Sequence, residues 1–209
     1  MGISANNGFE IHPGFIDLPG QKALIAALRS ALDLAPLFVP RMPRSGKPFS
    51  VRMTNLGPLG WVSDKEGGYR YQRSHPETGN PWPPIPDMVD EIWRRLSGYP
   101  HPPEACLVNY YGSATRMGLH QDRDEKDFSA PVVSISLGDA CRFRIGGAKR
   151  SDPTGSIKLT SGDIVVLGGE SRLAFHGIDR IYPGTSTLLD SWFPDGGRLN
   201  LTLRRVSAP

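Results

Sequence analysis

The sequence predicts a mainly β fold of the α+β class, in which a jelly roll or double-sheet barrel is covered by helices from the N-terminal half. Two amphipathic helical patterns occur before Cys106, and none occurs after it. From Cys106 onward, short apolar segments alternate with turn-forming residues, as in antiparallel all-β architectures. Glycine and proline are abundant, at 24 and 20 of 209 residues, which favours turns and strands.

Length and composition predict a single domain spanning residues 1–209. A hydrophobic fraction of 38% is enough for a core, and the net charge of +3 permits a polyanionic partner without requiring one. No apolar run approaches the ~18 residues of a membrane span. The N-terminus lacks the pattern of a signal peptide, and the two cysteines have no CxxC spacing. We therefore expect a monomeric, cytoplasmic protein without membrane contact.

Two covering helices are predicted from apolar residues at helical spacing. The first spans residues 21–35, after Pro19 and before Pro36, which stops it. The second spans residues 85–99, with Pro86 near its first turn, acidic residues early and arginines late, as the helix dipole prefers. Their apolar faces indicate packing against a sheet.

The tract between the helices is long and rich in glycine and proline. It contains four large aromatic residues, Trp61, Tyr69, Tyr71 and Trp82. Long ordered loops in compact domains are often lids or binding loops. A meander of short strands with aromatic anchors is an alternative, and the two interpretations are compatible.

About eight short strands are predicted after Cys106. Turn formers such as Gly138-Asp139 and Asp195-Gly196-Gly197 separate them. The segments are CLVNYY, RMGLH, VVSISLG, CRFRIG, SIKLT, DIVVLGG, RLAFHGI and RLNLTLRRV.

A candidate metal site lies in the stretch GLHQDRDE. His120 and Asp122 are two residues apart at a strand end, so that both side chains can point to one face. With His176 from a later predicted strand they form a two-histidine, one-carboxylate set. Such a set holds Fe(II) and leaves positions for a cosubstrate and oxygen. H-x-D alone is a weak signal, and a solvated charged loop is the alternative.

The last predicted strand, RLNLTLRR, has a polar and an apolar face. Arg198, Asn200, Thr202 and Arg204 alternate with three leucines. If the polar face lines the barrel interior, a dicarboxylate ligand would satisfy the guanidinium groups through bidentate pairing. The alternative is an edge strand whose arginines lie in water.

Beyond these patterns, the chain resembles the AlkB family of Fe(II)- and 2-oxoglutarate-dependent nucleic-acid repair dioxygenases. The resemblance covers residues 49–205, whereas the first forty or so residues match poorly. The matching segments are MTNLGPLGW, NPWPPIP, NYYGSATRMGLHQDRDE, APVVSISLG, GGAKRSDP, GDIVVLGGESRLAFHGI and RLNLTLR.

The resemblance implies a double-stranded β-helix core at residues 105–206 and a nucleotide-recognition lid at residues 45–84. It implies that iron is bound by His120, Asp122 and His176. It further implies that 2-oxoglutarate is surrounded by Asn109, Tyr111, Arg198, Asn200 and Arg204. In this arrangement Arg198 and Tyr111 would take the distal carboxylate, and Arg204 would lie near the other end and Asp122.

For the substrate, the resemblance implies that Trp61 and Tyr69 line a base pocket from the lid. The interval from Trp61 to Tyr69 is one residue longer than in the family pattern, so Tyr71 is an alternative. Asp124 would read the exocyclic amine of a damaged base, with Glu125 close by. The implied basic contacts to the substrate or its phosphates are Arg150, Arg116 and Arg123.

The implied reaction is oxidative demethylation of 1-methyladenine and 3-methylcytosine in DNA, with RNA as a further candidate. 2-Oxoglutarate and O2 would be converted to succinate and CO2, with release of formaldehyde. The base must be flipped out or already single-stranded. One alternative is a 2-oxoglutarate oxygenase that acts on protein or a small molecule. A second is a non-catalytic jelly-roll binding module, in which the triad holds structural zinc or nothing.

Overall fold

The computed structural model describes residues 3–5 and 8–208. Within these residues, two helices and five strands precede the eight strands of the C-terminal half. They are β1 (Ile3–Ala5), β2 (Phe9–His12), α1 (Leu18–Leu34), β3 (Arg52–Leu56), β4 (Gly60–Asp64), β5 (Gly68–Gln72), α2 (Asp87–Leu96), β6 (Ala105–Tyr111), β7 (Met117–His120), β8 (Val132–Gly138), β9 (Ala140–Ile145), β10 (Gly155–Leu159), β11 (Ile164–Leu167), β12 (His176–Tyr182) and β13 (Arg198–Arg204).

Two antiparallel sheets form the body of the molecule. A seven-stranded sheet has the order β1-β2-β11-β8-β13-β6-β3, and a four-stranded sheet has the order β10-β9-β12-β7. Their inner faces share one core, in which Leu107 and Val165 of the larger sheet join Phe143 and Ile178 of the smaller one. The eight strands after residue 104 thus form the predicted jelly roll.

Both helices cover the outer face of the seven-stranded sheet. Leu28 of α1 and Trp93 of α2 belong to one buried cluster with Leu199, Leu201 and Leu203 of β13. Because side chains alternate along a strand, the leucines face the helices and the polar residues of β13 face the space between the sheets. Among the described residues, no helix is long and apolar enough to cross a membrane.

The predicted helix boundaries were partly wrong. Helix α1 begins at Leu18 rather than residue 21, so Pro19 lies in its first turn, where its missing N–H needs no partner. The side chain of Asp17 caps this end by accepting a hydrogen bond from Gly20 N at 2.9 Å. Helix α2 is confined to Asp87–Leu96 and starts directly after Pro86.

The segment RLAFHGI is not a strand over its whole length. A short 3-10 turn at Gly169–Ser171 precedes it, and β12 begins only at His176. The Arg172 side chain is buried, and it donates hydrogen bonds to Ala130 O and Asp122 O at 2.8 and 2.7 Å. This buried arginine holds the chain in a turn, which places His176 at the first position of its strand.

The tract between the helices contains three short strands. Strand β3 joins the edge of the seven-stranded sheet beside β6, and β4 and β5 form a separate two-stranded hairpin. The hairpin carries Trp61 and Tyr69. The predicted meander of short strands is therefore present, and a lid at residues 45–84 stays a prediction.

Candidate iron and 2-oxoglutarate site

The three residues of the predicted triad lie together at one end of the four-stranded sheet. His120 ends β7 and is the cross-strand partner of His176, which begins β12. Asp122 follows β7 by two residues, and its carboxylate oxygens lie 3.8 Å from Nε2 of each histidine. The three ligand atoms are all within 4.8 Å of one another, so one ion can contact all three.

Backbone hydrogen bonds orient both imidazoles toward the ion position. Nδ1 of His120 lies 3.0 Å from Gly118 O, and Nδ1 of His176 lies 3.0 Å from Ala174 O. A carbonyl oxygen only accepts, so each Nδ1 carries the proton and each Nε2 keeps a free lone pair. Burial, and then the neighbouring His120, lower the pKa of His176 to about 4, which keeps its ring neutral and able to bind a cation.

Asp122 is held as a carboxylate. Burial alone would raise its pKa, but Arg204 Nη2 at 2.7 Å and the two histidines together lower the pKa well below its ordinary range. Two neutral nitrogen donors and one carboxylate oxygen form the donor set that suits Fe(II) with open positions. The residues present therefore fit the predicted ion.

The predicted 2-oxoglutarate residues line one cavity of about 410 Å³, which also contains the triad. The strand register explains this, since Arg198 and Asn200 of β13 are paired with Tyr111 and Asn109 of β6. Strand β13 lies between β8 and β6 in the sheet. The alternative of an edge strand with its arginines in water is therefore wrong.

Arg198 provides a second test of fit, because its guanidinium is buried without enough partners. The residue is 1% exposed, and its Nη2 donates to Ser136 Oγ at 2.8 Å. Within the described part of the chain, nothing accepts from its Nε or Nη1. A buried charge with free donors is unfavourable unless a ligand pairs with it, and a carboxylate matches the guanidinium in a bidentate manner.

The opposite wall of the cavity carries an aromatic pair and a carboxylate. The rings of Trp61 and Tyr69 are stacked, with centroids 5.5 Å apart at 22°. Trp61 Nε1 donates to Asp124 Oδ2 at 2.7 Å. All three residues line the same cavity as the triad, as do the exposed side chains of Arg116 and Arg123.

Tyr71 points away from this wall. Its hydroxyl donates to Glu125, and Arg204 Nη1 donates to the Tyr71 oxygen at 3.2 Å. Burial raises the pKa of Tyr71 far above its ordinary range, so it stays a neutral donor. Of the two tyrosines considered for the base pocket, only Tyr69 lines the cavity.

Glu125 does not lie in the cavity, contrary to the expectation that it approaches the base. Its side chain is fully buried and pairs with Arg172 Nη2 at 3.0 Å and Arg204 Nη1 at 3.2 Å. Unlike Asp124, it faces the protein interior, because adjacent residues at this turn point in opposite directions. Glu125 links the loop after β7 to the last strand.

Arg150 is exposed outside the cavity wall. Its Nη1 donates to Leu119 O at 2.8 Å, and its guanidinium lies 5.7 Å from the Phe175 ring centroid. It is therefore beside the cavity mouth without lining the cavity. No sequence pattern pointed to Arg172 as part of the site, because its partners lie more than forty residues away and its neighbours resemble an ordinary strand.

Sequence comparisons agree with this geometry. Residues 8–204 match the model of the 2OG-Fe(II) oxygenase superfamily. The chain is 54% identical over 199 residues to the Alpha-ketoglutarate-dependent dioxygenase AlkB homolog of Caulobacter vibrioides, covering 95% of this chain and 88% of that protein. It is 43% identical to Alpha-ketoglutarate-dependent dioxygenase AlkB of Escherichia coli, covering 77% and 74%. A match of 43% identity to the DNA N(6)-methyladenine demethylase ALKBH1D of Arabidopsis thaliana covers 49% and 24%.

The fold comparison gives the same result over the full length. The solved structure of OsALKBH1 matches with a TM-score of 0.78 and 32% identity, covering 97% of this chain and 100% of that one. The protein is thus an enzyme whose cofactors are Fe(II), 2-oxoglutarate and O2, and a non-catalytic binding module is excluded. The chain belongs to the 2OG-Fe(II) oxygenase superfamily and, within it, to the AlkB alpha-ketoglutarate-dependent dioxygenases.

Proposed function

We propose that this enzyme removes N-linked methyl groups from damaged bases, 1-methyladenine and 3-methylcytosine above all, in DNA and also in RNA. One observation carries the proposal: Trp61, Tyr69 and Asp124 line the same cavity as the His120–Asp122–His176 triad. A planar base held by the aromatic wall would lie beside the iron ligands. An aromatic wall with one carboxylate matches a planar cationic group better than a flexible aliphatic one.

The base-binding roles follow from the contacts of the wall. Base–aromatic stacking contributes about 1–3 kcal/mol per base. Methylation at N1 of adenine or N3 of cytosine adds a positive charge, which the Asp124 carboxylate would attract. The hydrogen bond from Trp61 holds one Asp124 oxygen and leaves the other free to accept from an exocyclic amine.

The protein groups supply orientation and protonation states around the cofactors. His120, Asp122 and His176 would hold the iron, and Arg198 with Tyr111 would hold the distal carboxylate of 2-oxoglutarate. Bound Fe(II) with 2-oxoglutarate and O2 supplies the oxidising power for hydroxylation of the N-methyl group. One oxygen atom enters the methyl group, which leaves as formaldehyde, and the other enters succinate as CO2 departs. The ring nitrogen of either base becomes neutral, and the proton of the new hydroxyl group passes to solvent.

The proposal requires nucleic acid at the cavity mouth. Arg116 and Arg123 are exposed on the cavity rim, where they can contact phosphates. The base must leave its stack to reach the triad, and methylation at a pairing position makes that step easier. A monomeric state, a cytoplasmic location and a lid at residues 45–84 stay predictions.

The test is release of formaldehyde and succinate from oligonucleotides that contain 1-methyladenine, with Fe(II), 2-oxoglutarate and O2 present. We expect turnover with the methylated strand, none with His120→Ala, and a loss of about 10-fold or more in kcat/KM with Asp124→Asn. The asparagine can still accept from Trp61 but lacks the charge, so its slow turnover of 2-oxoglutarate without substrate should be unchanged.

A different substrate class would give a different pattern. An enzyme that acts on proteins or free amino acids would release succinate with those substrates and leave the methylated oligonucleotide intact. That result, from a preparation that binds 2-oxoglutarate normally, would disprove nucleic-acid demethylation while leaving the oxygenase assignment in place.

A further inference from the structure

The outer face of the four-stranded sheet is strongly basic. Strand β9 presents Arg142 and Arg144, β10 presents Lys158 and β12 presents Arg180; we call these four residues the basic face. The four strands of this sheet contain a single acidic residue, Asp179. Asp179 pairs with Arg144 at 2.9 Å and Arg142 at 3.7 Å. Most of the positive charge on this face is therefore uncompensated.

The strand register aligns three of these cations in one row. Lys158 is the direct cross-strand partner of Arg142, and Arg142 is in turn the partner of Arg180. Like charges directly opposite each other destabilise a sheet. With strands about 4.8 Å apart, the row spans about 10 Å. This row of cations therefore does not stabilise the fold, and binding of a polyanionic ligand would explain why it is present.

A bulge in β12 creates this arrangement. Ile178 is paired with Phe143, and the next pairing is Arg180 with Arg142, so the register shifts at Asp179. A regular strand would have placed the acid opposite Arg142. Bulges are a common means of redirecting a side chain near a functional site. The Tyr182 ring supports two of the cations, with Arg180 Cζ at 5.4 Å and Lys158 Nζ at 5.7 Å from its centroid.

The basic face begins close to the cavity mouth. Ile145 of β9 is the cross-strand partner of His176, and Arg142 lies three residues further along β9, about 10 Å away. The loop that joins β9 to β10 carries Arg150, which is bonded to the carbonyl of the cavity residue Leu119. A chain of positive charge thus runs from the mouth along one hairpin to the outer face.

We propose that the basic face binds the phosphodiester backbone of the nucleic acid beyond the nucleotide held in the cavity. The inference rests on the proposed function for the identity of the polyanion. A nucleic acid strand carries one charge about every 3.4 Å along a helix, which matches closely spaced cations on a rigid surface. The enzyme then has an extended site and favours long substrates over short ones.

The test compares Lys158→Gln/Arg180→Gln with the wild-type protein. This double variant keeps both arginines that pair with Asp179, so the sheet retains its ion pairs. The matched control is Lys22→Gln/Arg94→Gln, which removes the same charge from the exposed surfaces of the helices on the other side of the molecule. Thermal unfolding of all three proteins checks that they are folded.

Binding is measured by fluorescence anisotropy with an unmethylated 20-mer, single-stranded and duplex, between 50 and 200 mM salt. The slope of log K against log salt should fall in magnitude by about 1.4 for single strands and about 1.8 for duplex in the double variant. Affinity at the lowest salt should fall about tenfold. The control should match the wild-type protein, and formaldehyde release from a methylated trinucleotide should be the same in all three.

Unchanged affinity and salt slope in the double variant would overturn the proposal, as would an equal loss in the control. Loss of binding to phosphatidylserine vesicles, with 20-mer binding intact, would also overturn it and assign the face to a membrane surface. Failure of the proposed function has a separate signature, because the wild-type protein would then release no formaldehyde from the methylated trinucleotide.

Discussion

Arg198 shows how a single side chain can prepare a cosubstrate site before any ligand arrives. Its guanidinium is buried, has one hydrogen bond to Ser136, and keeps two nitrogen donors unsatisfied within the described residues. Such a group is stabilised when a carboxylate pairs with it, since two parallel hydrogen bonds replace unmade ones. Arg198 is the cross-strand partner of Tyr111, so both side chains lie on the cavity side of the sheet.

The replacement Arg198→Lys should raise the KM for 2-oxoglutarate about 10- to 100-fold, because an ammonium cannot replace a planar, bidentate donor. We expect a smaller change in kcat, since the interaction is made in the ground state as well. Succinate release at varied 2-oxoglutarate measures both constants. Arg52→Lys, at an exposed arginine that stacks on Tyr110, is the control. An unaltered KM in Arg198→Lys would show that the carboxylate binds elsewhere.

Asp127 illustrates a residue whose charge supports the fold rather than the reaction. The hydroxyl and backbone N–H of Ser129 donate to it at 2.6 and 2.9 Å, and Tyr99 also donates to it. These bonds, that from the Ser129 hydroxyl above all, lower its pKa from 3.8 to about 2. A lowered pKa means that the ionised form favours the folded state. The contribution is present above pH 3.8 and is lost as the pH falls toward 2.

Asp127→Asn should therefore lower the free energy of unfolding at pH 7, and the difference from wild type should shrink between about pH 4 and pH 2. Urea denaturation over this pH range measures it. Asp33→Asn, the same substitution at an exposed position of α1, is the control. A destabilisation by Asp127→Asn that is independent of pH would mean that shape, and not charge, is responsible.

At the scale of elements, side chains of the β4–β5 hairpin attach it to the loop that carries Asp122 of the triad. Tyr71 on β5 donates to Glu125, and Glu125 pairs with Arg204, which also pairs with Asp122 of the triad. On the other strand, Trp61 donates to Asp124. Asp124 and Glu125 thus each bind one strand of the hairpin. These contacts fix the position of Trp61 and Tyr69 relative to the triad.

Tyr71→Phe should reduce the free energy of unfolding by about 1–3 kcal/mol, since it removes a hydrogen bond from a buried charged network and leaves Glu125 with fewer donors. Urea denaturation measures the loss. Tyr69→Phe is the matched control, because the Tyr69 side chain is 53% exposed and stacks through its ring. Equal stability of the two variants would contradict the proposed fastening of the hairpin.

At the scale of the whole molecule, the two sheets contribute different halves of the site. The predicted histidine ligands come from β7 and β12 of the four-stranded sheet, whereas the predicted 2-oxoglutarate residues come from β6 and β13 of the seven-stranded sheet. A ligand that contacts residues of both sheets would connect the two sheets across the cavity between them. Binding and folding are therefore linked.

Mn(II), a redox-stable substitute for Fe(II), should stabilise the folded protein by about 2.7 kcal/mol at a free concentration 100 times its Kd. The measurement is thermal unfolding with and without Mn(II) under saturating 2-oxoglutarate. His176→Ala should lose this increase, while Asp124→Asn, which leaves the triad intact, should keep it. A full Mn(II)-dependent increase in His176→Ala would place the ion outside the triad.

Local patterns in the sequence were sufficient to predict much of the fold. The apolar spacing of the two helices, the run of short strands after Cys106 and the alternation in RLNLTLRR follow from periodicities that each segment carries by itself. The resemblance to AlkB then added Asn109 and Tyr111 to the triad and to the polar face of the last strand. Helix ends were less accurate, as at Pro19, because capping by Asp17 depends on a few local atoms rather than on a pattern.

What the sequence by itself determined is the class of fold and the kinds of residue in the site, because both depend on side-chain periodicity and chemical type. Only the tertiary structure decided that Asp124 faces the cavity while Glu125 is buried against Arg172 and Arg204. The tertiary structure also decided that Tyr69 lines the cavity and Tyr71 does not, and that a bulge in β12 aligns the cations of the basic face. These choices depend on contacts between residues that are far apart in the chain, and no local pattern encodes the direction in which a side chain turns when a loop closes or a register shifts.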